Sequence, residues 1–198
     1  MDNFLTDNED LLFHLETMDL DYIIKLYEDD FAEAGTYPHA PKDVADAKDS
    51  YRRVLEIIGE IAAEYMAPFA AEVDKTGVKL VDGEVEFAPA TLKAWEMMRK
   101  AELTGLTFAR KYGGLNIPLT IMTMCGEIFT RGDASFLNLG LQQDIGETLE
   151  RFGSEEQKAR IIPLLANGAE GSAMILTEPD AGSDLQAVTL KATQGPDG

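Results

Sequence analysis

The sequence predicts a mainly α-helical fold followed by the opening strands of a β unit. Three observations point there. Apolar residues recur at helical spacing from Leu11 to Leu165, Gly and Pro interrupt that pattern at roughly helix-length intervals, and alternation with period two begins only past Gly171. With 198 residues and 45% hydrophobic content, the chain has the apolar material for a substantial core.

Leu11, Leu12, Leu15, Met18, Ile23, Ile24, Tyr27 and Phe31 form an acidic amphipathic segment, broken near Asp19 to Asp21 and ended at Gly35 with Pro38 and Pro41 beyond. It reads as a separate helical extension, residues 1–38. A helical domain over 39–170 follows. Tyr51, Val54, Leu55, Ile58, Ile61, Ala62 and Tyr65 keep the i, i+3, i+4, i+7 rule over four turns, and Pro68 marks where that helix bends or stops. Gly77 to Gly83 predicts an extended loop or small hairpin. Pro89 suits a first helical position, and Leu92, Trp95, Met98 and Leu103 supply one face of the helix it opens, closed by Thr104-Gly105. Gly113-Gly114 is a turn. Pro118 opens a helix carrying Ile121, Met122, Cys125, Ile128 and Phe129, which Gly132 ends. A helix through Leu149 and Phe152 is capped by Gly153, and Ser154 with Gln157 predicts a capping box for a helix with Ile161, Ile162, Leu164 and Leu165 inward, stopped at Asn167-Gly168. Residues 171–198 then read as the start of a second, β unit, with a buried run Ala173–Leu176 and an alternating strand Val188–Thr193. Two strands without partners are marginal in water, so a fragment or an interrupted reading frame is expected.

Charge and residue types remove several function classes. Thirty-six acids against 17 bases leave −19, a surface that repels nucleic acid and anionic membrane, and no run of 18 apolar residues is present to span a bilayer. The first residues, Met1 to Leu5, carry no signal-peptide character, and a cytoplasmic location is the expectation. The single Cys125 sits at helical spacing among apolar residues, which suits a small buried side chain. The two histidines, His14 and His39, lack neighbours at metal-ligand spacing, and no GxSxG, P-loop or GxGxxG occurs.

What remains is Thr177-Glu178-Pro179-Asp180-Ala181-Gly182-Ser183-Asp184. These are ordinary turn residues and read as a surface turn. They also suit a flat, phosphate-bearing cofactor approached by backbone, since Gly182 and Ser183 put no bulky side chain in its way. Glu178, Asp180 and Asp184 would then point away from the phosphates, toward cations or backbone N–H groups.

Here the sequence resembles the acyl-CoA dehydrogenase family of flavoproteins. Leu176 to Asp184 with Ala187 is similar to that family's first signature, with Ile175 where a small residue or Cys is usual. Gly105 through Tyr112-Gly113-Gly114, Glu127-Ile128 with Arg131-Gly132-Asp133-Ala134-Ser135, and Phe152 to Lys158 followed by Pro163-Leu164-Leu165 agree in order and spacing, although Ala109 stands where proline is common. The resemblance covers about residues 44 to 198, and the extension before it resembles the extra amino-terminal helix of a longer branch.

The resemblance implies a helical amino-terminal domain of the acyl-CoA dehydrogenase type, then a middle β-barrel, truncated here, and a carboxyl-terminal helical domain, with FAD as cofactor. It implies oxidation of an acyl-CoA thioester to the 2,3-enoyl-CoA, a carboxylate removing the α proton, and electron-transfer flavoprotein as acceptor. By motif position, Met174, Ile175, Leu176, Thr177, Gly182 and Ser183 would line the FAD, Thr177 near the reactive edge of the ring and Ser183 near the pyrophosphate and the substrate. Leu141, Gln142, Asp144 and Ile145 would line the acyl pocket. The family's base and second flavin-binding segment lie past Gly198, so this stretch alone is expected to be inactive, with no catalytic residue of its own. Homo-oligomers are usual in the family. The competing readings are an acyl-CoA oxidase fragment and a noncatalytic acidic helical module that binds a protein partner.

Overall fold

The structure, a computed structural model, describes residues 3–141 and 145–196. Two short helices open it, α1 (Glu9–Thr17) and α2 (Asp21–Tyr27). Asn8 caps α1 by accepting the Leu11 N–H at 3.1 Å, and the break between the helices lies at residues 18–20, next to Asp19 as expected. The long helix α3 (Val44–Ile61) starts at Asp43, whose carboxylate accepts the Asp46 N–H at 2.9 Å, and turns Ala47, Tyr51, Leu55, Ile58 and Ile61 inward. Its ladder widens into a π turn at Ala62–Met66 and tightens to a 3₁₀ turn at Ala67–Phe69, because Pro68 has no N–H to continue it. Helix α4 (Ala70–Thr76) ends at Gly77, φ 63°. The hairpin follows: β1 (Lys79–Val81) pairs antiparallel with β2 (Glu84–Glu86), Leu80 opposite Val85, around Asp82-Gly83, both at positive φ.

Helix α5 (Pro89–Lys100) begins at its proline, α6 (Leu119–Gly132) is preceded by Pro118, and α7 (Phe136–Leu141), α8 (Ile145–Phe152) and α9 (Glu155–Ala166) complete the order. The capping box of α9 is formed on both sides: Gln157 N–H donates to Ser154 Oγ at 3.2 Å, and Ser154 N–H to Gln157 Oε1 at 2.8 Å.

The main core joins α3, the π turn, α5 and α6 through Leu55, Ile58, Met98, Ile121, Ile128 and Phe129. Gly132 lets α6 approach closely, since a Cβ there would lie 3.1 Å from the Ala62 side chain. Residues Leu5, Leu11, Leu20 and Ile24 belong to this same core, and the chain start is stitched to α3 by Phe4 N–H to the Gly59 carbonyl at 3.2 Å and Asn3 Nδ2 to the Glu56 carbonyl at 2.9 Å. The front segment, read from the sequence as a separate piece, is packed as part of the bundle; an amphipathic stripe does not reveal which core it faces. A second, smaller core of Phe108, Ile162, Leu165 and Ala166 sits under α8 and α9. Side chains from α5 and its following loop satisfy the last carbonyls of α9 and its cap: Thr104 Oγ1 to Ala166 at 2.6 Å, Arg99 Nε to Asn167 at 3.2 Å and Trp95 Nε1 to Gly168 at 3.2 Å.

Several expectations change. Leu92 is exposed, because the inward face of α5 is Thr91, Ala94 and Met98, and Leu92 lies about 100° round from Thr91. Leu164 is exposed for the same reason beside Ile162 and Leu165, and Phe152 points outward from the last turn of α8. The runs 173–176 and 188–193, read as strands that would be marginal without partners, form no strand here, in keeping with that reading; Ile175 is 91% and Leu190 82% exposed. Their period is right for strands, but among the described residues no neighbouring strand takes their backbone groups. The fold is mainly α, with its β content in the 79–86 hairpin and an isolated bridge. No helix among the described residues is long and apolar enough to cross a membrane.

Candidate functional site

The loop singled out by the sequence folds on itself. Glu178 N–H donates to the Ala181 carbonyl at 2.9 Å and Ala181 N–H to the Glu178 carbonyl at 3.2 Å, closing a bend around Pro179-Asp180 with Ala181 buried beneath it. The Glu178 carboxylate reaches across to accept Thr189 N–H at 2.9 Å, Thr189 Oγ1 at 3.0 Å and Leu190 N–H at 2.8 Å. Asp184 accepts the Gln186 N–H at 3.1 Å and starts a 3₁₀ turn, Leu185–Ala187. Two of the three acids in the motif are therefore turned to backbone N–H groups, as the sequence required of a site open to phosphate. Thr177 and Gly182 meet across the bend: a Cβ on Gly182 would stand 3.6 Å from Thr177 Cγ2, and Gly182 keeps an ordinary φ. Met174, Ile175, Leu176, Thr177, Gly182 and Ser183 are all exposed.

Hydrogen bonds from the Thr189 and then the Leu190 backbone hold the Glu178 carboxyl below its usual 4.5. A depressed folded pKa means that the clamp is intact above the unfolded value and is lost as pH falls through the folded one. Glu178→Ala should accordingly accelerate amide hydrogen exchange at Thr189 and Leu190 several-fold at neutral pH. Unchanged protection at both amides would show that the carboxylate does not hold the loop.

The second expected set lies elsewhere. Leu141 ends α7 and Ile145, half-buried, begins α8; Gln142 and Asp144 fall outside the described residues. Among the described residues no hydrogen bond ties this corner to the 174–183 loop. Behind Ile145, Gly146 is pressed against the Phe108 ring, and Phe108 with Trp95, Phe129 and Phe136 borders a narrow cavity of about 20 Å³, room for about one water.

A buried charged cluster was not anticipated. Arg110, in the 3₁₀ turn Arg110–Tyr112 before Gly113, donates in bidentate fashion to Glu28, Nη1 to Oε2 at 2.7 Å and Nη2 to Oε1 at 2.9 Å. It also donates to Glu33 at 3.1 Å and to the Leu115 carbonyl at 3.1 Å. The Arg110 and Glu28 side chains are 3% and 1% exposed. Burial opposes the guanidinium charge, and Glu28 followed by Glu33 outweighs it, leaving the Arg110 pKa raised. Tyr51, nearby, has its phenol pushed up first by burial and then by the charge of Glu28, with which its hydroxyl reaches no hydrogen-bond geometry. Arg110 is separated from Glu28 by 82 residues, and nothing in local spacing announces the pair.

Residues 48–169 match the family model for the acyl-CoA dehydrogenase N-terminal domain. The chain belongs to the acyl-CoA dehydrogenase family. It is 29% identical over 146 residues to the mitochondrial isovaleryl-CoA dehydrogenase of Solanum tuberosum, covering 73% of this chain and 33% of that protein. Against the 3-methylmercaptopropionyl-CoA dehydrogenase of Ruegeria pomeroyi the identity is 31% over 151 residues, 76% of this chain and 26% of the relative. The cyclohexane-1-carbonyl-CoA dehydrogenase of Syntrophus aciditrophicus is 28% identical over 148 residues, 74% and 36%. The chain thus spans about a third of the length of the curated relatives it matches. The family match covers the core from within α3 onward, the Arg110 turn and the α7–α8 corner, leaves out the front segment that packs on that core, and stops short of the 173–187 loop.

Proposed function

We propose that these residues are the amino-terminal part of an FAD-dependent acyl-CoA dehydrogenase and supply one wall of its flavin site and part of its acyl pocket. The observation that carries the reading is the 177–184 bend, where hydroxyls and backbone stand open while two of the three neighbouring carboxylates, Glu178 and Asp184, are engaged elsewhere. Such a surface fits a flat cofactor with anionic phosphates: Met174, Ile175 and Leu176 offer exposed apolar contact, and Thr177, Gly182 and Ser183 offer neutral donors. When bound, FAD would accept the β hydrogen of the acyl thioester as hydride. Thr177 would fix the edge of the ring, Ser183 would hold a phosphate beside the substrate, and Leu141, Gln142, Asp144 and Ile145 would face the acyl chain, each methylene they bury contributing about 0.8 kcal/mol.

In this reading the family's base is supplied from outside these residues, and four of the carboxyls present are poorly suited to the part. A base at neutral pH needs a carboxyl held upward in pKa. Asp7, Glu96, Glu155 and Glu178 are instead held low, each first by a hydrogen bond: from Arg131, Lys100, Lys158 and the Thr189 backbone respectively. The same reading gives electron-transfer flavoprotein as acceptor, a homo-oligomeric holoenzyme and a cytoplasmic setting. It also makes the 198 residues inactive by themselves.

The test is spectroscopic. The gene product expressed with whatever coding sequence follows should purify yellow, and its flavin absorbance should bleach on anaerobic addition of isovaleryl-CoA or octanoyl-CoA. Residues 1–198 alone should retain no flavin. A longer product that is colourless after FAD reconstitution would sink the assignment, and bleaching by the 198-residue chain would sink its inactivity.

A further inference from the structure

The corner between α7 and α8 holds Leu141 and Ile145, and what lies behind these two residues sets how far an acyl chain facing them can go. The backing is glycine on both sides. Gly140 precedes Leu141 and borders the cavity of about 20 Å³. Gly146 follows Ile145 and is buried, and a Cβ there would run into the Phe108 ring at Cζ and Cε1. The wall is thinnest at these glycines, and Phe108 stands directly behind one and borders the cavity behind the other.

Volume decides what that backing can admit. A water molecule's share of the liquid is about 30 Å³, close to the space a methylene needs, and the cavity has room for about one water. Its other walls include Trp95, Met98, Met122, Phe129 and Phe136, and Phe108 itself is 1% exposed. Packing of that density yields only through shifts of side chain and backbone. A cleft of about 600 Å³ also flanks α8, but Glu147, Glu150 and Arg151 line it, and an alkyl chain there would strip water from charged groups without replacing it.

We propose that Phe108 is the stop of the acyl pocket: its ring closes the helical domain to the chain behind Leu141 and Ile145 and restricts the enzyme to short acyl thioesters. The inference rests on the assignment of this corner to the acyl pocket, and adds to it a substrate class and the residue that sets it.

The test uses the longer gene product, reconstituted with FAD and mixed anaerobically with butyryl-CoA or palmitoyl-CoA. Forcing a long chain into a filled core carries the cost of overpacking, so the second-order rate constant for flavin bleaching should be about a hundredfold larger with butyryl-CoA. Phe108→Ala should narrow that ratio by about fifteenfold, since each methylene admitted gains about fourfold, the equivalent of about 0.8 kcal/mol, and the vacated ring leaves room for two. Loss of packing alone would lower both rate constants together and leave their ratio where it was. Calorimetric binding of the matching 2,3-enoyl-CoA products should show the same preference and the same narrowing without turnover. Phe108→Leu keeps most of the buried volume and should narrow the ratio about fourfold, which carries the test if Phe108→Ala does not fold. No bleaching with these thioesters or with isovaleryl-CoA would remove the dehydrogenase reading and this inference together. Bleaching with a ratio near one would overturn this inference alone, and would send the chain elsewhere, for instance into the groove of about 310 Å³ that Leu139 forms with Val78 and Phe87. A wide ratio left unchanged by the folded Phe108 variants would overturn the role of the ring.

Discussion

Arg110→Met should lower the stability of the chain by about 3–5 kcal/mol, the largest single-residue loss outside the apolar core. Methionine can fill the volume but leaves the Glu28 carboxylate, 1% exposed, without its bidentate partner, and leaves the Leu115 carbonyl without a donor. The cost is that of an uncompensated buried charge, not the net worth of the pair. Glu28→Met added to Arg110→Met should therefore recover a substantial part of the loss, because a buried ion pair exchanged for apolar volume is often neutral. Urea denaturation of the four proteins of that double-mutant cycle reads the coupling directly. Since Glu28 closes α2 and Arg110 belongs to the helical domain, the single variant should also be cut faster by protease in residues 28–42. A loss under about 1 kcal/mol in Arg110→Met would mean that the pair behaves as a surface salt bridge.

That cluster also shows where sequence legibility stopped. Elements whose cause is local were readable. Pro89 sits at a first position, Ser154 and Gln157 close a capping box, and a hairpin begins within Gly77 to Gly83, each from residues within a few positions of one another. Cys125 is buried as its helical spacing required. The readable part of the site was likewise local: the engagement of Glu178 and Asp184 follows from an acid needing a partner if the bend is to stay open to phosphate. Non-local facts were not readable. The same amphipathic pattern would serve a front segment docked on this core or on another protein; the contacts that decide it, such as Asn3 and Leu5 against Gly59 of α3 and Glu28 with Arg110, join residues far apart in sequence. Alternation at 188–193 reports what a strand needs on its two faces; a strand also needs a neighbour, and the described chain offers none.

Phe108→Ala should cost a further about 3–5 kcal/mol, and its effect should be coupled to a glycine. Phe108 is 1% exposed and anchors the smaller core with Ile162, Leu165 and Ala166, so truncation leaves a cavity beneath α9. Two glycines fit the chain around it. A Cβ at Gly114 would run into the Phe108 backbone, where the Asn116 N–H donates to the Phe108 carbonyl at 2.9 Å, and a Cβ at Gly146 would run into the ring itself. The ring can tilt and the backbone cannot without losing its hydrogen bond. Gly146→Ala should consequently destabilise by about 1–3 kcal/mol, and Gly114→Ala by more. In the pair Phe108→Ala with Gly146→Ala, the added methyl enters space the ring has vacated. The combined loss should fall short of the summed single losses by at least about 0.5 kcal/mol, measured by urea unfolding. Strict additivity would refute the contact between Gly146 and the ring. It would also remove the packing that holds the start of α8, with Ile145, in place for the acyl pocket proposed above.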